Sequence, residues 1–312
     1  MDGTSRRRAL EAVVAFGFVS LLADVVYEGA RSVLGPYLGT LGASAALVGL
    51  VAGLGEFTAF ALRLVSGPLV DRTRAAWSFT IAGYLLTIVA VPLLGVVGRL
   101  DLALALVLAE RLGKAVRSPA RDTLLAGAGE IIGRGRAFGL HEALDQIGAV
   151  AGPVVLAVVL AVSGDDYRLA FGILAVPGIA VVVLLVTARR LLGPNPGRAV
   201  HPPGSGTPDP GPAEPGRIRA GLTFLAATSL VTLPFPLVAF HATNRDLVAP
   251  ALVPVVFAAA MGLDALVAVV VGGLYDRRGP GVLVVVPVAG AVSAVALAPH
   301  ALAVWMGVLA WG

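Results

Sequence analysis

Asp24, Glu28 and Arg31 interrupt the first apolar stretch of the chain at i, i+4 and i+7. That spacing stacks them on one face of a helix. A carboxyl group in a low-dielectric setting holds its proton more tightly than in water, and a nearby cation loosens it again. An acid held between those influences can load and release a proton. The same three residues could instead form an ion pair that only ties the first helix to its neighbours.

A longer stripe follows at Glu110, Lys114, Arg117 and Arg121, spaced i, i+4, i+7 and i+11, with Arg111 and Asp122 beside it. His141, Asp145, Gly148 and Gly152 share one face of a later segment, with Glu142 adjacent and Pro153 following. Glu56 and Arg63 lie seven apart on another segment, and Asp264 is the one acid deep in a late apolar run. Charge inside a bilayer is expensive, so each of these is a candidate for proton or substrate handling. Gly148 and Gly152 read more simply as a close helix-packing motif. The run His141-Glu142-Ala-Leu-Asp145 approaches the H-E-x-x-H zinc signature, but its fifth position is an aspartate. No metal site and no enzymatic reaction are therefore read here. With no cysteine in the chain, thiol chemistry and thiolate metal sites are excluded as well.

The elements that must position these groups are membrane helices. Hydrophobic residues make up 57% of the chain and charged residues 13%, with a mean hydropathy of +0.90. A soluble domain averages about 25% charged residues. Apolar segments long enough to span a bilayer recur near 11–38, 45–70, 77–98, 101–121, 137–163, 167–190, 218–241, 248–275 and 281–298. A tenth begins near His300 and is still apolar at Gly312. Helices satisfy their own backbone polar groups in lipid, and these continuous runs do not alternate as barrel strands do. Arg6, Arg7 and Arg8 before the first run do not make it a cleaved signal, since no small-residue cleavage site follows.

Arginine placement sets the expected orientation. With a cytoplasmic N-terminus, fifteen arginines fall in inside loops, and only Arg99, Arg168 and Arg245 fall outside. That is a strong positive-inside bias. Between the sixth and seventh spans, the 26 residues Leu191 to Gly216 hold eight prolines and six glycines, the composition of an extended linker. The expected organisation is a six-helix bundle over 1–190, a linker over 191–217 and an incomplete second bundle over 218–312.

An internal repeat supports two halves. Gly67-Pro-Leu-Val-Asp71-Arg72-Thr-Arg74 closes the second span, and Gly272-Gly-Leu-Tyr-Asp276-Arg277-Arg278-Gly279 closes the eighth. Asp71 and Asp276 are 205 positions apart (276 − 71). Both copies resemble the loop 2–3 signature of the major facilitator superfamily, G-x-L-a-D-r-x-G-r-k, with Arg74 in the place of the second glycine. Glu110-Arg111-Leu-Gly-Lys114 resembles the fourth-helix block of a bacterial branch of that superfamily, with Arg111 at the place of its arginine. Gly148-Ala-Val-Ala-Gly152-Pro153 is similar to the G-x-x-x-G-P motif of proton-exchanging exporters.

The resemblance implies an all-α, polytopic, two-bundle fold of six plus six helices, of which six plus about three and a half are expected here. It implies a secondary active transporter for a small-molecule substrate, working by alternating access as a proton-coupled efflux system. The expected setting is the plasma membrane, with the lipid bilayer as partner, no nucleic acid, a monomeric chain, and a proton gradient in place of any cofactor. Asp24, Glu28 and Arg111 would handle protons or charge, with Arg111 pairing with the first-helix acids. Gly67, Asp71, Arg72, Arg117, Arg121, Asp122, Gly272, Asp276, Arg277 and Gly279 would form a cytoplasmic gate. A stop inside the last apolar run would make the chain a truncated product, and the alternative reading is then a non-transporting sensor or a transporter remnant.

Overall fold

The computed structural model describes residues 3–193 and 215–312 and is helical throughout, with no strand among the described residues. Most of the expected linker, the burial of Gly272 and the side chain of Asp276 in the second loop motif lie outside the described residues.

Seven helices in the first part pack on one another: α1 (Gly3–Thr40), α2 (Ala45–Thr73), α3 (Ala76–Leu94), α4 (Leu100–Ile132), α5 (Arg134–Ser163), α6 (Tyr167–Ile173) and α7 (Ala175–Leu192). Five follow: α8 (Pro215–Val231), α9 (Phe235–Asn244), α10 (Val253–Arg278), α11 (Val285–Ser293) and α12 (Ala301–Trp311). Seven helical stretches among the described residues are long and apolar enough to cross a membrane. Their outer faces carry large exposed apolar residues such as Leu50, Phe57, Leu64, Val162 and Val269, as lipid-facing surface requires.

The boundaries depart from the expected spans where proline or charge intervenes. The seventh expected span breaks between Val231 and Phe235, because Pro234 and Pro236 remove donors and fix φ. The sixth breaks at Leu174, three residues before Pro177. The fourth runs on past 121 to Ile132, through Gly127 and Gly129, and stops at Gly133, whose φ is +101°. The ninth is a short helix flanked by 3-10 turns. Prolines 36, 68, 92, 119 and 153 sit inside α1 to α5 without ending them, as membrane helices tolerate.

Helix α1 is the axis of the fold. Its first half buries Phe16 against Trp77 of α3, with Tyr84, Leu125 and Leu185 in the same cluster. Its last third buries Leu34, Tyr37 and Leu38 against Leu156, Leu160 and Phe171. A third cluster gathers Phe235, Phe257, Val304 and Val308 and takes in Ala149 of α5. The polar residues of α1 therefore lie between two apolar layers, next to the seam where the later helices pack.

Candidate functional site

Helix α5 approaches α1 backbone to backbone, and glycine makes this possible. A Cβ on Gly148 would press into the Leu21 carbonyl, and one on Gly152 would lie 2.9 Å from the Gly29 nitrogen. Gly83 and Gly113 do the same for α3 and α4: a Cβ on either would sit within 2.7 Å of the other's carbonyl oxygen. These contacts draw α4 and α5 close enough for short side chains to meet across the seams.

Glu56 on α2 is the hub of the upper network. It accepts a 2.9 Å hydrogen bond from Arg111 Nη1 and lies 3.7 Å from Arg31 Nη2. Arg31 also pairs with Glu28 at 3.4 Å, and Arg111 with Glu110 at 3.2 Å. Glu28, Glu110 and Arg111 are buried. In that setting each charge needs its partner, and breaking a buried pair by removing one side is strongly destabilising. The expected pairing of Arg111 with the first-helix acids is corrected here. Its carboxylate partners are Glu56 and Glu110, and it reaches α1 by donating to the Tyr27 hydroxyl.

The Tyr27 ring serves two cations. The Arg111 guanidinium lies 5.0 Å from its centroid and the Lys114 ammonium 3.6 Å, both inside cation–π range. Arg117 stacks 4.4 Å over Tyr84. Neither Lys114 nor Arg117 forms an ion pair with a described residue. Arg63 does not pair with Glu56; it lies 5.1 Å over Phe60 and 3.5 Å from the Ser118 hydroxyl.

A lower network joins α1, α4 and α5. Ser20 donates to Asp145, Arg121 donates to Ser20 at 3.3 Å, and Arg121 pairs with Asp122 at 2.9 Å. His141 is buried one turn from Asp145, and neither ring nitrogen has a hydrogen-bond partner. Glu142 is exposed on the neighbouring face.

Two contacts cross to the later helices. The Arg31 guanidinium lies 6.0 Å from the Phe257 ring and 5.5 Å from Trp311. Those rings pack with Phe235, and Trp311 is fixed by a 2.8 Å bond from its indole to the Leu233 carbonyl. Gln146 of α5 donates to Asp264 of α10 at 3.0 Å.

The loop residues separate from these networks. Asp71 and Arg72 are exposed and make no ion pair with a described residue, so the expected network of Asp71 with Arg117, Arg121 and Asp122 is not assembled. A Cβ on Gly67 would meet only Pro119, at 4.0 Å. Arg277 is exposed, and Gly279 caps α10 with φ +78°.

Ser20, Tyr27, Phe257 and Trp311 escape a search for ionisable groups alone. Ser20 was within reach of one, since it extends the stripe of Asp24, Glu28 and Arg31 by one turn. The aromatics needed a tertiary neighbour to gain meaning.

The sequence and the fold have counterparts in known proteins. An uncharacterized protein of Mycobacterium tuberculosis is 48% identical over 312 residues, covering 98% of this chain and 76% of the relative. An uncharacterized MFS-type transporter of Methanocaldococcus jannaschii is 27% identical over 190 residues, 61% of this chain and 47% of that one. The fold matches that of a bacterial homolog of the human lysosomal transporter Spinster in an inward-facing, unoccupied conformation. That match has a TM-score of 0.70 and 18% identity, over 100% of this chain and 73% of the other. The family model of the Major Facilitator Superfamily matches residues 16–312, and this polytopic helical chain belongs to that family of membrane transporters.

Proposed function

We propose that the chain moves a small solute across the plasma membrane by alternating access, with proton-coupled efflux as its mode. The helices before and after the 191–217 linker act as the two halves that rock, with the N-terminus in the cytoplasm and the chain acting as a monomer. The observation that carries this reading is the charged belt of α1, α2 and α4, buried between apolar layers and touching the later helices through Arg31. A purely structural bundle gains little from such a belt, because the desolvation of each ion offsets most of its pairing energy.

In this reading Glu28, Glu56, Arg31 and Arg111 face the solute. Asp24 and Glu28 exchange protons. Arg31 leaves Phe257 and Trp311 when the halves separate, and a solute or a protonated Glu28 changes its balance of partners. The loop residues Gly67, Asp71, Arg72, Gly272, Asp276, Arg277 and Gly279 act at the hinge, as the two matching helix ends suggest.

The test is a reconstituted full chain with a pH-sensitive dye trapped inside liposomes, challenged with a panel of small solutes. Asp24→Asn or Glu28→Gln abolishes solute-dependent proton movement while membrane insertion is kept. Undiminished proton movement in both variants sinks the assignment.

A further inference from the structure

A cavity of about 650 Å³ opens at the end of the helices remote from the N-terminus. Cavities of roughly 300–1,000 Å³ are the size that holds a small molecule. Tyr37 and Thr40 of α1 and the 165–168 turn between α5 and α6 form one wall, and Phe240 and Asn244 of α9 form the other. Tyr37 follows Arg31 by six residues (37 − 31), roughly 9 Å along a helix axis. The cavity is therefore separate from the charged belt.

Aromatic rings and three charges give it its chemistry. The Tyr37 ring is buried, 4.8 Å from Phe171 and 6.0 Å from Tyr167 by centroid. Its hydroxyl donates to the Leu94 carbonyl, so the ring is what remains for a ligand. Asp166 is held at the rim: its Oδ1 accepts from the Arg168 amide at 2.8 Å and the Leu169 amide at 3.2 Å, and its own amide donates to Ser163 Oγ at 3.2 Å. The Asp165 amide is fixed beside it by a 2.9 Å hydrogen bond to the Leu160 carbonyl. Asp165, Asp166 and Arg168 are exposed and form no ion pair with a described residue. Two carboxylates against one guanidinium leave the lining one unit negative, and aromatic faces attract cations as well.

We propose that this cavity binds a dissolved organic cation, a quaternary or protonated amine with an apolar body, and that the bound cation holds this end of the transporter shut. The rings of Tyr37, Tyr167 and Phe240 take the apolar body, and Asp165 and Asp166 hold the charge. The rim is an exposed turn at the ends of the helices, so the ligand arrives from water. The two walls belong to the helices before and after the linker, and the site is whole only while they meet. A ligand that binds one conformation better shifts the population toward it. The cation is thus an inhibitor of opening at this end. That consequence rests on the alternating-access reading above, while the binding itself does not.

Benzyltriethylammonium is the probe, titrated by calorimetry into the purified full chain in nonionic detergent. Spin labels at Ala46→Cys and Arg245→Cys, both exposed and outside the lining, report the separation of the halves. The wild type binds the probe saturably at one site, and binding narrows the label distances toward their short component. Asparagine tolerates left-handed backbone and caps helices as aspartate does, so Asp165→Asn and Asp166→Asn keep the turn. Each lowers the affinity about fivefold, the effect of a unit charge at contact distance in water. Tyr167→Leu lowers it about threefold, Arg168→Gln raises it, and Glu28→Gln leaves it unchanged. Unaltered affinity in both aspartate variants, or lost binding in Glu28→Gln, overturns the site. If the aspartate variants fail to fold, Arg168→Gln decides: tighter binding supports the site, and equal or weaker binding overturns it. Displacement of the probe by added phosphatidylcholine assigns the cation to a lipid headgroup and overturns the dissolved ligand. Binding that leaves the label distances unchanged overturns the hold on the halves. A chain that binds and closes but moves no solute refutes the transport reading alone, and solute movement without saturable binding refutes the site alone.

Discussion

Arg74 and Gly279, 205 positions apart, close α2 and α10 with the same backbone hydrogen bond but with different conformations, left-handed at Arg74 (ψ +26°) and extended in ψ at Gly279 (ψ −169°). Each has positive φ, +54° and +78°, and each donates its amide to the carbonyl four residues back, Arg74 to Val70 at 2.9 Å and Gly279 to Tyr275 at 2.8 Å. The repeated G-x-L-x-D-R segment is therefore a repeated helix stop as well as a repeated sequence. Left-handed backbone is natural to glycine and costs a residue with a Cβ about 1 kcal/mol or more. Arg74→Gly relieves that strain, with part of the gain offset by glycine's larger unfolded-state entropy. The expected net stabilisation is roughly 0.5 kcal/mol, read as a small rise in thermal unfolding temperature in detergent. Gly279→Ala should lose about 1–3 kcal/mol, because φ +78° with ψ −169° is backbone that essentially only glycine adopts, and equal unfolding temperatures for that variant and wild type would contradict this account of the cap.

The α1–α5 seam makes a sharper prediction. A Cβ on Gly152 meets the backbone of Val25 and Gly29, which cannot rotate away as a side chain can. Gly152→Ala should therefore destabilise by about 1–3 kcal/mol, the ordinary range for overpacking. On α2, a Cβ added to Gly53 would have nothing within 4 Å. Gly53→Ala should be neutral or stabilising by up to about 1 kcal/mol, since alanine is the better helix former. Thermal unfolding of the two variants side by side checks the contrast, and equal shifts would refute it.

The sequence exposes much of this organisation because membrane physics acts on single segments. Twenty apolar residues in a row must be helical whatever surrounds them. The positions of Asp24, Glu28 and Arg31 on one face follow from helical spacing alone. Partner choice does not. Arg111 meets Glu56 because α2 crosses α4 there, and Arg31 meets Trp311 because the later helices pack against α1. Pairing depends on interhelix register, which no local pattern encodes. Helix breaks are intermediate: Pro234 and Pro236 mark the division of α8 from α9, while the break at Leu174 has a weaker local sign in Pro177.

His141 separates a structural role from a functional one. A buried imidazole with both nitrogens unbonded forfeits the hydrogen bonds it had in water, about 1–3 kcal/mol for each unsatisfied group. Leucine of similar size removes that penalty without disturbing Ser20, Asp24 or Asp145. His141→Leu should therefore be at least as stable as wild type. A clear drop in unfolding temperature would show instead that the imidazole is bonded in the native protein.

The two groups of helices touch near the ends of α1 and α2 remote from the N-terminus, and glycine again sets the approach. A Cβ on Gly35 would lie 2.8 Å from the Pro236 carbonyl carbon and 3.0 Å from the Phe240 nitrogen, while Gly39 faces the Phe240 ring and Gly49 faces Leu237. This end is shut by backbone contact between α1 and α9. An added methyl group at Gly35 acts on the shut arrangement only, so it shifts the population toward a conformation open at this end by its differential energy. A penalty of about 1.4 kcal/mol changes that ratio tenfold. The chain has no cysteine of its own, so spin labels at Thr40→Cys and Asn244→Cys report this separation without background. Gly35→Ala should broaden the Thr40–Asn244 distance distribution and lengthen its mean. An unchanged distribution in a correctly folded variant would place the closing contact elsewhere than at Gly35.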